Sequence, residues 1–284
     1  MNPTEARIRV PGTTANLGPG YDCLGAALKI YNVVTVRKGR KSWSSPMAQA
    51  AADAFFTAAG TKPFRFEWEI QGAVPRSRGL GSSVTVRLGL LHGLNKLAGD
   101  PLSRKALFEI CARLEGHPDN AAPAAFGGFV ASAGTERFAR FPISPKLKFI
   151  VLIPDFELET SAARKVLPAT VAHKDAAANA ARTSLLVAAF ASQNYKLLKN
   201  GFEDVLHQPY RTKLLPQLPA VIQAGTTAGA LGGFLSGSGS SIACVTLSNS
   251  GKIARRMKEA FGPGSADIVI TEADNLGARV LSLS

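Results

Sequence analysis

Six residues, Arg78-Gly79-Leu80-Gly81-Ser82-Ser83, followed at once by a helix-patterned run, have the composition of a place that holds phosphate. Glycines let backbone N–H groups approach an anion closely. A helix beginning near Ser82 or Ser83 would point its unpaired N–H groups and its positive dipole end at the same spot. The two serines could cap that helix or offer a hydroxyl to a phosphate-bound Mg²⁺. On these six residues alone, an ordinary loop before a serine-capped helix is the competing reading.

Other nucleotide-binding patterns are missing. The chain has no G-x-x-x-x-G-K-S/T and none of the protein-kinase signatures H-R-D, D-F-G and A-P-E. A dinucleotide fingerprint would need a strand running straight into the glycines, and residues 72–77 intervene.

The elements that must position this loop follow from periodicity. Ala6–Val10 and Ile30–Val36 read as strands, joined by a loop dense in turn formers from Pro11 to Asp22. Pro46–Ala59 reads as a helix, and alternation at Phe64, Phe66, Trp68 and Ile70 marks a half-buried strand. Val84, Leu88, Leu91 and Leu94 recur at helical spacing, so an amphipathic helix follows the serines. Ser103–Leu114 is the next helix. Beyond it come a strand at Phe149–Pro154, helices at Ala176–Phe190, Asn194–Gly201 and Pro219–Ala228, and a strand pair at Leu231–Phe234 and Ile242–Leu247. A helix at Lys252–Phe261 and a strand at Ala266–Thr271 close the chain. The alternation is irregular, which favours α+β over a doubly wound sheet. The Pro-containing stretch 141–148 is the expected boundary, giving two domains, 1–145 and 146–284.

Composition sets the frame. The 284 residues are 46% hydrophobic and 19% charged, enough for a sizeable core and too apolar for wholesale disorder. A net charge of +13 favours anionic partners. Apart from Arg37, Lys38, Arg40, Lys41 and the pair Arg255–Arg256, the basic residues are scattered, the usual pattern of a solvated face. Nucleic acid is therefore not the expected partner, although charge alone keeps that reading open. Cys23, Cys111 and Cys244 form no C-x-x-C and suggest neither disulfides nor zinc, which fits a reducing cytoplasm. No secretory signal or membrane span is expected from the N-terminus or the short apolar runs.

Three glycine-rich segments occur in order: Val10–Gly25 (V-P-G-T-T-A-N-L-G-P-G-Y-D-C-L-G), Pro75–Ser83 (P-R-S-R-G-L-G-S-S) and Leu235–Ser241 (L-S-G-S-G-S-S). Between the last two lies E-G-H-P-D-N-A-A-P-A, Glu115–Ala124. Together these motifs resemble the GHMP small-molecule kinases and, within them, the homoserine kinases. The resemblance implies a two-domain α+β fold, with an N-terminal half like ribosomal protein S5 domain 2 and a ferredoxin-like C-terminal half. It also implies ATP and Mg²⁺ as cofactors, L-homoserine as acceptor, O-phosphohomoserine for threonine synthesis as product, and a homodimer as the common assembly. Another member of the family, or a degenerate paralogue with a different small alcohol, is the alternative.

The same resemblance implies residue roles. Pro75, Arg78, Gly79, Leu80, Gly81, Ser82 and Ser83 would wrap the triphosphate, with Ser236, Gly237, Ser238 and Gly239 approaching from the second domain. Ser82 and Glu115 would hold Mg²⁺. Asn16, Asp22 and His117 would surround the ammonium and hydroxyl end of the amino acid, with Arg164 and Arg211 on its carboxylate. Asn120 stands where some members have an aspartate base, so positioning and charge neutralisation would carry catalysis. Asp119 would brace the loop. The chain departs from the family at Val84-Thr85-Val86-Arg87, where small residues are usual, at Ser240, where proline is usual, and at residues 32–75, which are shortened around the adenine pocket.

Overall fold

The computed structural model describes residues 3–39 and 45–284, so Arg40 and Lys41 of the basic cluster lie outside the described residues. Two long antiparallel strands begin the chain, β1 (Glu5–Ala15) and β2 (Leu24–Lys38). The helix α1 (Pro46–Ala59) and the strand β3 (Phe66–Gly72) follow, and β3 pairs with the far half of β2. Next come α2 (Ser82–Leu97), α3 (Arg104–Glu115) and the short α4 (Ala121–Phe126). The strands β4 (Phe129–Ala133) and β5 (Arg137–Phe141) complete this half, β4 pairing with the near half of β2.

The second half opens with β6 (Lys148–Pro154), α5 (Thr160–Lys165) and the long α6 (His173–Ser192). It continues with α7 (Gln208–Arg211), α8 (Leu218–Thr227), β7 (Gly232–Leu235), β8 (Ile242–Thr246), α9 (Ser250–Phe261) and β9 (Ala266–Thr271). These four strands form an antiparallel sheet in the order β7-β8-β6-β9. The last strand, β10 (Arg279–Leu283), crosses back and pairs with β1, so the C-terminus belongs to the first sheet.

Three of the expected elements differ. Pro11–Ala15 is strand rather than loop: β1 continues past Pro11 after a register shift against β2, and turn-forming residues there serve the bulge. The segment expected as a helix at 194–201 holds only a single 3₁₀ turn, Tyr195–Leu198. Neither Ser82 nor Ser83 caps α2. Gly81 holds that position in the left-handed region, with no side-chain cap.

The core explains how the glycine-serine loop before α2 is aimed. Val34 and Val36 of β2 and Ile8 and Val10 of β1 pack with Leu88, Leu91 and Leu94 of α2 and with α1, α3 and α4. Gly89 and Gly93 face Val34 and Val36, and a Cβ at either would lie 2.4 Å from a valine methyl, so α2 rides directly on β2. The near half of β2 turns the other way. Leu24, Ala26 and Leu28 share a core with Phe129, with Phe149 and Val151 of β6 and with Phe190 of α6. The two halves are thus joined by one apolar layer, which fixes the loops at their shared edge. A third cluster seats α8 and α9 on the other face of the second sheet. Among the described residues no helix is long and apolar enough to cross a membrane, and all three cysteines are free thiols.

One half-buried group of α2 carries a pH consequence. His92 has its Nε2 shielded from solvent without a hydrogen-bond partner, and burial lowers its pKa to about 4. The unfolded chain takes up this proton near pH 6.5. Between pH 6.5 and 4 the unfolded state therefore binds more protons, and stability falls as the pH drops, by about 3 kcal/mol over the window. Urea unfolding at pH 7 and pH 4.5 should show this acid loss, and His92→Leu should reduce it. An unchanged difference in the variant would rule His92 out as its source.

Candidate active site

One cavity of about 340 Å³ lies where the loops of both halves meet. At one end are Arg78, Gly79, Gly81, Ser82 and Ser83; Gly237 and Ser238 line it too, the Gly237 carbonyl bonding Asn16 and Arg211 of the other group. At the other are Asn16, Asp22, His117, Arg164 and Arg211, with Glu115 and Asn120 on the wall. Of the expected residues, Pro75, Leu80, Ser236 and Gly239 do not line it. Leu80 is a core residue, and Ser236 is fully buried.

Hydrogen bonds stitch the three glycine-rich segments together. The hydroxyls of Thr14 and Ser236 lie 2.8 Å apart, and Ser236 Oγ is 2.7 Å from the Gly79 carbonyl. Gly237 N–H donates to the Ala15 carbonyl at 3.1 Å, and Asn16 Nδ2 donates to the Gly237 carbonyl at 2.9 Å. Ser241 N–H reaches the Arg78 carbonyl at 3.2 Å. With Thr13 N–H donating to the Leu80 carbonyl at 3.1 Å, every segment is held by the other two, through backbone and side-chain groups together.

At the glycine-serine loop, the first turn of α2, with N–H groups that have no partner within the helix, lines the cavity. The Ser82 hydroxyl has no protein partner among the described residues. Glu115, the last residue of α3, accepts from Ser83 Oγ at 3.0 Å and from Arg87 Nη1. A hydroxyl and a carboxylate on one wall are hard oxygen donors, and each carboxylate oxygen keeps lone pairs beyond its single bond, so the set fits Mg²⁺.

Two arginines and a tyrosine organise the opposite end. Arg164 makes a two-pronged pair with Asp22, at 3.0 and 2.9 Å, and donates to Tyr21 Oη at 2.7 Å. Arg211 is 2% exposed. Its Nε donates to the Ala163 carbonyl at 3.1 Å, and its Nη1 contacts the Gly237 carbonyl at 3.0 Å and His207 Nδ1 at 3.2 Å. The Tyr21 ring has both guanidiniums over it, at 5.6 and 5.4 Å from its centroid. Burial lowers the pKa of Arg211. His207, fully buried behind it, is lowered to about 4 for the same reason.

His117, Asp119 and Asp22 offer ligand atoms within 4.8 Å of one another. These charges are already engaged. Asp119 Oδ1 contacts His117 Nδ1 at 2.7 Å and accepts the Asn120 backbone N–H at 2.9 Å, while Asp22 pairs with Arg164. The hydrogen bond that His117 makes to the Asp119 carboxylate raises the pKa of His117. The Asn120 carboxamide is fixed from below by Thr13, whose hydroxyl donates to Oδ1 at 2.7 Å. The sequence reading missed Thr13, Tyr21 and His207. Threonine in a strand, an aromatic in a turn and a lone histidine carry no local signal. Met47, Arg76, Val86 and Leu158–Thr160 also line the cavity without having been singled out.

Comparison with known proteins gives concordant findings. A family model described as GHMP kinases N terminal domain matches residues 46–128, and one described as GHMP kinases C terminal matches residues 186–263. A homoserine kinase of Caldicellulosiruptor bescii is 37% identical, the alignment covering 97% of each chain. A homoserine kinase of Clostridium beijerinckii is 38% identical over 96% of this chain and 98% of its own. Among solved structures, a homoserine kinase from Cytophaga hutchinsonii superposes with a TM-score of 0.90 at 26% identity, covering 98% of both chains.

Proposed function

The chain belongs to the GHMP kinase family, and from that premise we propose that it is a homoserine kinase, transferring the γ-phosphate of ATP to the hydroxyl of L-homoserine. What supports this reading is one cavity lined both by Gly79, Gly81, Ser82 and Ser83 and by Asp22, His117, Arg164 and Arg211. Asp22 suits an ammonium, and Arg211 suits a carboxylate. An acceptor hydroxyl between them and Ser82 would face the phosphate.

Neither Asn120 nor its neighbour Asp119 is a free base for that hydroxyl. Asn120 cannot accept a proton at neutral pH, and the Asp119 carboxylate, 2% exposed, is spent on its own loop. The residues then act by alignment: Asn120 orients the hydroxyl, and the N-terminus of α2 stabilises charge on the transferring group. Ser82 and Glu115 would hold Mg²⁺, which when bound neutralises phosphate charge.

Phosphorylation of homoserine, serine, threonine and mevalonate, followed by ADP release, tests the assignment. Homoserine should give the highest kcat/KM, and a higher value for mevalonate, or none for any of the four, would overturn it. Asn120→Ala should lower kcat about twentyfold, the worth of one hydrogen bond to a polarised group, with the KM for ATP unchanged. The kcat of the wild type should not follow a single group titrating near pH 6–7. A profile that does so, and that disappears on replacing Asp119 in a folded protein, would restore a general base.

A further inference from the structure

We propose that Arg87 is a positioning residue for the metal site: a fixed counter-cation that keeps Glu115 charge-compensated without metal, so that the cation loads with the nucleotide rather than before it. The proposal rests on the kinase reading of the cavity. It starts from the departure at residues 84–87, where a long cation stands on the first turns of the phosphate-loop helix.

Ser83 and Arg87 are four residues apart on α2 and so share one face. Both reach the carboxylate that ends α3, Ser83 to Oε2 and Arg87 to Oε1. The Glu115 side chain is 9% exposed and that of Arg87 17%. A carboxylate so covered needs a compensating charge, and Arg87 supplies it. Arg87 itself is incompletely satisfied, because its Nε is out of solvent with no partner. Its charge is therefore tied to Glu115, and withdrawal would leave both ions uncompensated.

Position decides how this affects the metal. Ser82, Ser83, Val84, Val86 and Glu115 line the cavity, and Arg87 does not. The guanidinium thus holds, from outside the cavity, a carboxylate that lines it. A divalent cation reaching Glu115 thus meets an anion whose charge is already shared, and its affinity is lowered. A triphosphate arriving with the cation adds several negative charges and restores the balance.

Mn²⁺ binding to the full-length protein, followed by electron paramagnetic resonance of the free ion, tests this. It is measured without nucleotide and with a non-hydrolysable β,γ-methylene analogue of ATP. Arg87→Gln should tighten Mn²⁺ about tenfold in the nucleotide-free protein, the low end of what a neighbouring charge does to a carboxylate's proton affinity. The gain should be smaller with the analogue. Arg87→Lys keeps the charge and should stay within about twofold of the wild type. Glu115→Gln should abolish tight binding in both states.

Unchanged or weaker Mn²⁺ binding in a folded Arg87→Gln protein overturns the proposal. So does an equal gain in the lysine variant, which remains decisive if the glutamine variant does not fold. If the wild type phosphorylates homoserine and binds Mn²⁺ with the analogue, such a result removes only the role of Arg87. If the wild type binds neither and phosphorylates nothing, the kinase reading falls, and this proposal with it.

Discussion

Arg211→Met should lower kcat/KM for homoserine about 10²–10³-fold, the cost of removing one partner of a buried charge pair, while the protein stays folded and at least as stable. The argument begins with what surrounds the guanidinium. Its contacts are two backbone carbonyls, a histidine nitrogen and the face of Tyr21, and among the described residues no carboxylate pairs with it. A cation 2% exposed without a counter-ion is a cost to the folded chain. Burial accordingly lowers its pKa. An anion entering the cavity would remove that cost, and the substrate carboxylate is such an anion. Methionine keeps much of the aliphatic volume and carries no charge, so the thermal midpoint should hold or rise.

Arg164 offers the internal contrast. Asp22 already matches its charge in a two-pronged pair about a third exposed, so Arg164→Met removes a screened attraction and should lower stability slightly as well as slow the enzyme. If Arg211→Met loses activity only in step with stability, the guanidinium is a structural brace, and the carboxylate pocket lies elsewhere.

The difference between the two arginines could not be read from sequence. Their neighbours in the chain gave them one role, yet one is paired and the other is not, and that depends on contacts 142 residues apart. The loop ahead of α2 was legible because its geometry is local: two glycines and two serines before a helical period mark a tight turn into a helix. The exception within it, Gly81 capping α2 in place of a serine, arises because β1 and the second half already hold that turn. Residues Pro11–Ala15 misled for a related reason. Turn-forming residues were expected to end a strand, whereas pairing with β2 carries the strand through them to place Thr13 under Asn120 and Thr14 against Ser236. The short strands β4, β5 and β10 went unread. Glycines flank β4, while β5 is a charged edge strand of only five residues. β10 is specified only by a partner at the opposite end of the chain.

The seam between the halves gives the second large effect. Gly79→Ala should reduce kcat/KM about 10²–10³-fold, as expected when reacting groups shift by about an ångström, and should raise the KM of both substrates. A Cβ at Gly79 would lie 2.1 Å from the Ser236 carbonyl oxygen and 2.9 Å from that of Gly239. Neither carbonyl can move alone. Ser236 is tied to Thr14 and to Gly79 itself, and the Gly239 N–H donates to the Ser236 carbonyl at 2.9 Å, so the two carbonyls move together. The added methyl must therefore push the phosphate loop away from the loop of the second half. It also meets a φ of +71°, which an alanine adopts only at a cost of about 1 kcal/mol. Overpacking adds about 1–3 kcal/mol, so the thermal midpoint should fall.

Gly60→Ala separates the two causes. Gly60 has a φ of +60° at the end of α1, and a Cβ there would meet nothing within 4 Å. It should lose stability through φ alone and keep its activity. If the two variants are equally active, backbone conformation rather than the contact between the halves explains Gly79, and the cavity does not depend on the loops of both halves being locked together.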